Sequence, residues 1–338
     1  MKLKYRRIKP AIYHLNKIRS NSTLSTIDKA YFTLSPFYKA SRNPIVLCHG
    51  LYGYDKIAFE NFPYLQINYW QGIAESLKQL GNEVIIAKVP RTGSIEERTN
   101  QLNLFLERVV SDREVNIIGH SMGGLDGRYL ISKVKNKKYK VLSLSTISTP
   151  HYGSQFMDWC QENLNLGRKK KENENPIYTD INTNRPLLNK LLVNLDAPAY
   201  YHLTTDYCKN IFNPNTPNCN DVKYFSYNAY IEKMNKFALL YLPWSIIKER
   251  AGKNDGIVAL NSSVWGEHVE TVEASHFDLV SRYRWIYAFL SLLGFQDPRY
   301  HHNPKLPLPK SLFLNPSPNL DTIEFYLRIS NFLYSKGF

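Results

Sequence analysis

Acidic residues are missing from the first 27 positions of this chain; Asp28 is the first. Lys2, Lys4, Arg6, Arg7, Lys9, Lys17 and Arg19 precede it, with serine and threonine frequent from 20 to 26. No apolar core accompanies these charges, which excludes a secretory signal. A basic, Ser-containing, acid-poor start is the composition of a mitochondrial transit peptide or of a disordered basic tail, although Pro10 would interrupt a targeting helix. Long apolar runs are also missing. None reaches about 18 residues, so no helix is expected to span a bilayer. "FALLYLPWSII" (237–247, interrupted by Pro243) and "WIYAFLSLLGF" (285–295) read as core. Cysteine is scarce. Cys48, Cys160, Cys208 and Cys219 form no C-x-x-C pair, which argues against a zinc site. Cys48, inside an apolar run, reads as a buried thiol, and Cys208 and Cys219 pair only in principle.

Acid is in deficit along the whole chain. Lys and Arg number 43 against 29 Asp and Glu, a net charge of +14 that favours anionic partners. The basic clusters "KVKNKKYK" (133–140) and "GRKKKENEN" (167–175) are short and sit in no nucleic-acid module, so no nucleic-acid partner is expected. An anionic lipid surface is the better fit. With 338 residues and neither an internal repeat nor a Pro/Gly/Ser linker, one large α/β domain is expected.

What is present alternates between strand and helix patterns. "PIVLCHG" reads as a buried strand, "YWQGIAESLKQLGN" as a helix capped by Gly81, and "EVIIAKVP" as a strand stopped by Pro90. "SIEERTNQLNLFLERVV" opens with the Ser94–Glu97 spacing of a capping box. Further strands are expected at 115–118, 140–149, 222–230 and 268–274, and a last helix at 281–293. Such alternation predicts a doubly wound, mostly parallel sheet with helices on both faces. Residues 151–221 break the rhythm: they are polar, rich in Asn, Pro and Tyr, with helical patterning only near 185–195. An insertion of this kind sits above the carboxyl ends of the strands, where it can act as a cap.

Between the strand at 115–118 and the next helix lies Gly119-His120-Ser121-Met122-Gly123. A G-x-S-x-G between strand and helix is the setting of a nucleophile elbow: small neighbours permit a tight turn, and the helix N-terminus favours negative charge at the serine. Ser121 needs a base and an acid to orient it. Of the later histidines (His151, His202, His268, His276, His301, His302), His276 lies just past a strand, where a base belongs; His268 opens that strand at its wrong end. Asp255, in the turn "NDGI", is the leading acid, with Asp206 and Asp278 behind it. Backbone N–H groups of Met122 and Leu51 are the expected oxyanion donors.

"LCHGLYGYD", "VPRTGSIEER", "GHSMGGLDGRYLI", "STISTPHYGS", "NDGIVALNSSVWGE" and "SHFDLV" occur in this order. Through them the chain resembles the α/β-hydrolase triacylglycerol lipases, more the yeast mitochondrial kind than the bacterial true lipases, from about residue 44 to about 285. The resemblance implies a Ser121–His276–Asp255 triad, hydrolysis of acylglycerol esters and no cofactor. In the bacterial relatives the aspartate two residues past the catalytic histidine helps bind calcium. Asp278 matches it, but no partner carboxylate can be placed, so a hydrogen-bonding role is expected and no metal. The implied organisation is a basic extension over 1–40, a catalytic domain over 41–300 with a cap or lid at about 151–221, and a Pro-rich segment with a short helix over 301–338. Phospholipase, thioesterase and lipid acyltransferase chemistry on the same fold stay open, as does a catalytically silent lipid-binding homologue.

Overall fold

The computed structural model describes residues 38–53, 56–59, 62–70, 72–167, 197–236, 238–280 and 320–338. The basic N-terminal segment, the cluster beyond Gly167, the helical patterns at 185–195 and 281–293, and His301 and His302 lie outside the described residues.

Six strands pair in parallel: β1 (Ile45–Cys48), β4 (Val84–Ile86), β5 (Glu114–His120), β6 (Lys140–Ile147), β7 (Lys223–Tyr230) and β8 (Glu267–Glu273). Their spatial order is β4-β1-β5-β6-β7-β8. This is the mostly parallel sheet expected from the alternation of strands and helices, in the α/β-hydrolase form that the resemblance implies. Side chains alternate across the sheet. Val46, Cys48, Val115 and Ile117 face one apolar cluster with Leu102 and Leu106 of α2 (Ile95–Val109) and Leu130 of α3 (Met122–Lys133). On α1 (Ile73–Leu80) and α7 (Thr322–Ser335) the buried stripes include Ile73, Leu77, Phe325 and Ile329. The rings there meet edge to face, Trp70 on Tyr326 at 5.8 Å and Tyr227 on Phe325 at 5.8 Å.

Local sequence signals act as expected. Ser94 and Glu97 exchange the two hydrogen bonds of a capping box (3.1 and 2.8 Å). Gly81 ends α1 at φ +109°, a left-handed conformation that glycine adopts without strain. Two features differ from expectation. An antiparallel pair, β2 (Lys56–Phe59) with β3 (Phe62–Asn68), occupies a stretch that lacks the Gly-containing two-residue turn of a recognisable hairpin. "FALLYLPWSII" contributes α6 (Tyr241–Ala251), in which Pro243 lies in the first turn, where its missing N–H costs nothing. Among the described residues no helix is long and apolar enough to cross a membrane. All four cysteines are free, Cys208 and Cys219 included.

Candidate active site

Ser121 stands between β5 and α3 at φ +55°, ψ −130°, a conformation rare for a residue with a side chain. Packing enforces it. A methyl group on Gly119 would lie 2.6 Å from the Gly124 nitrogen, and one on Gly123 would overlap the Cys48 carbonyl oxygen. Backbone bonds pin the turn as well. The Ser121 N–H donates to the Ile147 carbonyl (2.9 Å), and the Ser121 carbonyl accepts from Thr149 Oγ1 (2.8 Å). The side chain is 8% exposed and looks into a cavity of about 400 Å³.

His276, on the loop after β8, lines the same cavity. Its Nδ1 meets Asp255 Oδ2 at 2.7 Å, and its backbone N–H donates to the Asp255 carbonyl at 2.9 Å. Asp255 is fully buried. Its Oδ1 accepts the Ile257 and Val258 amides (2.9 and 2.8 Å), so the Asp-Gly turn fixes the carboxylate before it fixes the imidazole. With Nδ1–H given to the carboxylate, Nε2 keeps its lone pair as a proton acceptor.

The other sequence candidates fall elsewhere. Asp206 accepts from Asn210 (2.7 Å) at the start of a π-helical turn, Tyr207–Phe212. Asp278 Oδ2 accepts the Ser275 amide (2.8 Å), steadying the loop that carries His276. No group of three His, Cys, Asp or Glu side chains able to hold a metal gathers among the described residues. His268 opens β8 and is exposed, with Thr271 Oγ1 3.2 Å from its Nε2. His151 is buried against Trp265 and beside Arg128; burial first, and the guanidinium second, hold it well below the ordinary histidine range. Arg128 itself is pushed down to about 10 by burial, and lies 3.4 Å over the Trp265 ring while binding Asn213 and Thr216 of the insertion. His202, on α5 (Pro198–His202), accepts the Ile95 amide at 3.0 Å and so caps α2 from the insertion.

Leu51 follows β1 and lines the cavity; Met122 is the first residue of α3, one of the amides without an intrahelical acceptor. The Leu51 loop is braced by residues that the sequence reading did not single out. Arg98 holds both Asp126 oxygens (2.7–3.1 Å) and reaches the carbonyls of His49 (2.7 Å) and Pro90 (2.8 Å). The Gly50 amide donates to Tyr69 Oη (3.2 Å), which lies 2.6 Å from His120 Nδ1. The His120 ring packs 4.6 Å from that of His276. One signal for Arg98 was available: it sits on the buried stripe of α2, three residues after Ile95, where a charge needs a partner.

The cavity wall is almost wholly apolar. The insertion supplies Phe156, Met157 and Leu164 from α4 (Gln155–Leu164), together with Leu166, Tyr200 and Leu203. Cys160 also faces it, but burial pushes its thiol up to about 11, which keeps it protonated and poorly nucleophilic at neutral pH. The arrangement sets the Ser121 hydroxyl and the His276 imidazole on one cavity whose lining is otherwise mostly apolar, the chemistry of a site for an apolar ligand with a few polar groups.

The family model described as palmitoyl protein thioesterase matches residues 44–277. Triacylglycerol lipase 2 of Saccharomyces cerevisiae is 35% identical over 89% of this chain and 94% of its own length. A triacylglycerol lipase of Pseudarthrobacter phenanthrenivorans is 38% identical over 38% of this chain and 39% of its own. Among solved structures, the mature Bacillus licheniformis lipase BlEst2 covers 75% of this chain and 92% of that one, with TM-score 0.52 and 21% identity. At that identity the likeness shows the fold alone.

Proposed function

The chain belongs to the α/β-hydrolase family that the palmitoyl protein thioesterase model describes and that includes yeast triacylglycerol lipase 2, and from that premise we propose that it is a serine-dependent triacylglycerol lipase. The observation that carries the reading is the His276–Asp255 pair sharing an apolar cavity with Ser121. His276 takes the Ser121 proton as the oxygen attacks the ester carbonyl. The amides of Leu51 and Met122 receive the negative charge, in a dry site where such donors act strongly. His276 then protonates the leaving glyceride, and water, activated by the same imidazole, releases the fatty acid from Ser121. No step uses a cofactor.

The test is the purified protein against tri-, di- and monoacylglycerols, phospholipids and acyl-thioesters, beside a Ser121→Ala control. Triacylglycerol hydrolysis lost in the control supports the reading. The family description favours one second reading, thioester hydrolysis by the same residues; preference for the acyl-thioester would select it. The insertion acts as a lid, and the +14 charge draws the protein to anionic membrane or lipid-droplet surfaces. Delivery is to the mitochondrion through residues 1 to about 30; a fluorescent reporter carrying them that stays cytosolic would reject that part alone.

A further inference from the structure

Leu239 (63%) and Leu242 (55%) are the two most exposed of the large apolar side chains described as exposed, and they stand three residues apart, Leu239 in the turn that enters α6 and Leu242 in its first turn. The same turn does not lack a core to enter. Leu240 and Trp244 fill a cluster with Ile231 and Met234, and the Trp244 Nε1–H donates to the Ile231 carbonyl at 3.0 Å. The turn thus divides: one face is packed, and the other holds two leucines in water, where they forgo the free energy of burial. Ile257 and Phe277 belong both to that cluster and to the cavity wall, so the exposed face backs onto one side of the candidate active site. A methyl group on Gly256, next to Asp255, would touch Leu240 at 3.0 Å.

The surroundings of the two leucines are basic. Lys233, Lys236, Lys248, Arg250 and Lys253 are exposed across 232–253, against Glu232 and Glu249; Arg250 pairs with Glu162 (2.7 Å) and Lys253 with Glu232 (3.5 Å), and Lys236 and Lys248 flank the leucines in the chain. Lys248 is held beside the patch, 4.5 Å over the Trp244 ring and 3.1 Å from the Glu232 carbonyl. An apolar patch rimmed by polar groups marks an interaction surface. Leucines flanked by lysines suit the boundary between the acyl chains and the phosphates of an anionic lipid surface. A second copy of this chain suits it less, because a two-fold contact would set the same lysines against each other.

We infer that the turn entering α6, with the exposed side of that helix, is the face that docks onto an anionic lipid surface: Leu239 and Leu242 enter the acyl boundary while Lys236 and Lys248 meet lipid phosphates. This rests on the lipid-ester reading for the occupant alone; docking requires no catalysis. The test is flotation of the full chain with vesicles of phosphatidylcholine, with and without phosphatidylglycerol, at low and high salt. Leu239→Ser with Leu242→Ser should weaken binding to the anionic vesicles at least about tenfold. Lys236→Gln and Lys248→Gln should each weaken it about fivefold and flatten its salt dependence. All these variants should keep the melting temperature and the hydrolysis of a dissolved short-chain ester. Wild-type flotation by the leucine pair variant overturns the inference, as does a wild-type dimer that the same pair converts to monomer. A wild type that floats through these leucines but cleaves no lipid ester keeps the docking face and removes the enzymatic reading.

Discussion

Ser121, Asp255 and His276 span 155 residues of the chain, from 121 to 276, and each occupies a local signal in the sequence: an elbow glycine pattern, an Asp-Gly turn, a loop past a strand. The bracing residues carry weaker signals. Arg98 stands on the apolar stripe of α2, but nothing in the sequence names Asp126 as its partner until folding brings α2 against α3. Two outcomes follow from their environments. Asp255→Asn leaves both amide bonds to the turn in reach but loses the carboxylate that fixes the tautomer and orientation of the His276 imidazole, so ester hydrolysis should fall by orders of magnitude with little change in melting temperature. Asp206→Asn should be near wild type; the reverse pattern in parallel kinetic assays would move the acid to Asp206. Asp126→Ala strands the Arg98 guanidinium in the core, which should destabilise the protein by about 3–5 kcal/mol in urea unfolding. A loss below about 1 kcal/mol would mean that the pair does not brace the Leu51 loop.

At the scale of elements, most of the parallel strands were readable as short apolar runs ended by Gly, Pro or a polar loop, while the polar β8 is marked by its β-branched Val269, Thr271 and Val272. The β2–β3 pair was not, since its strands carry no turn signature, and α6 was hidden by a proline that opens the helix rather than breaking it. The strand–turn–helix unit at Ser121 depends on glycine for space. Gly123→Ala would drive a methyl group into the Cys48 carbonyl, a backbone atom that cannot swing aside, and should cost at least about 1–3 kcal/mol together with most of the activity. A stable, active Gly123→Ala protein would contradict the packing described. The contact between the insertion and α2 is sensitive to pH. Burial lowers the pKa of His202, while Glu96 and Glu97 raise it less. The unfolded histidine takes up its proton near pH 6.5, and the folded one only below that. Between the two values the unfolded state binds more protons, so stability is fully present above about pH 6.5 and declines as pH falls. His202→Asn should flatten the fall in melting temperature between pH 7 and 5.5; an unchanged slope would show that His202 does not titrate on unfolding.

For the whole molecule, the sheet sets the site at the carboxyl ends of β5 and β8, and side chains of the insertion line the cavity that Ser121 and His276 share. The sequence conveyed the order of strands along the chain and the cationic excess. It did not convey which insertion side chains face the slot, because Phe156, Met157, Cys160 and Leu164 are spaced as any helix stripe would be. The central claim, that this fold exists here to make Ser121 an acyl-accepting nucleophile, is tested most directly by mass spectrometry after reaction with a p-nitrophenyl alkylphosphonate. One phosphonyl group should appear on the peptide carrying Ser121, not at all in Ser121→Ala, and far more slowly in His276→Ala. Protein that cleaves lipid esters yet takes up no label on that peptide, or takes it up on another residue, would contradict the account.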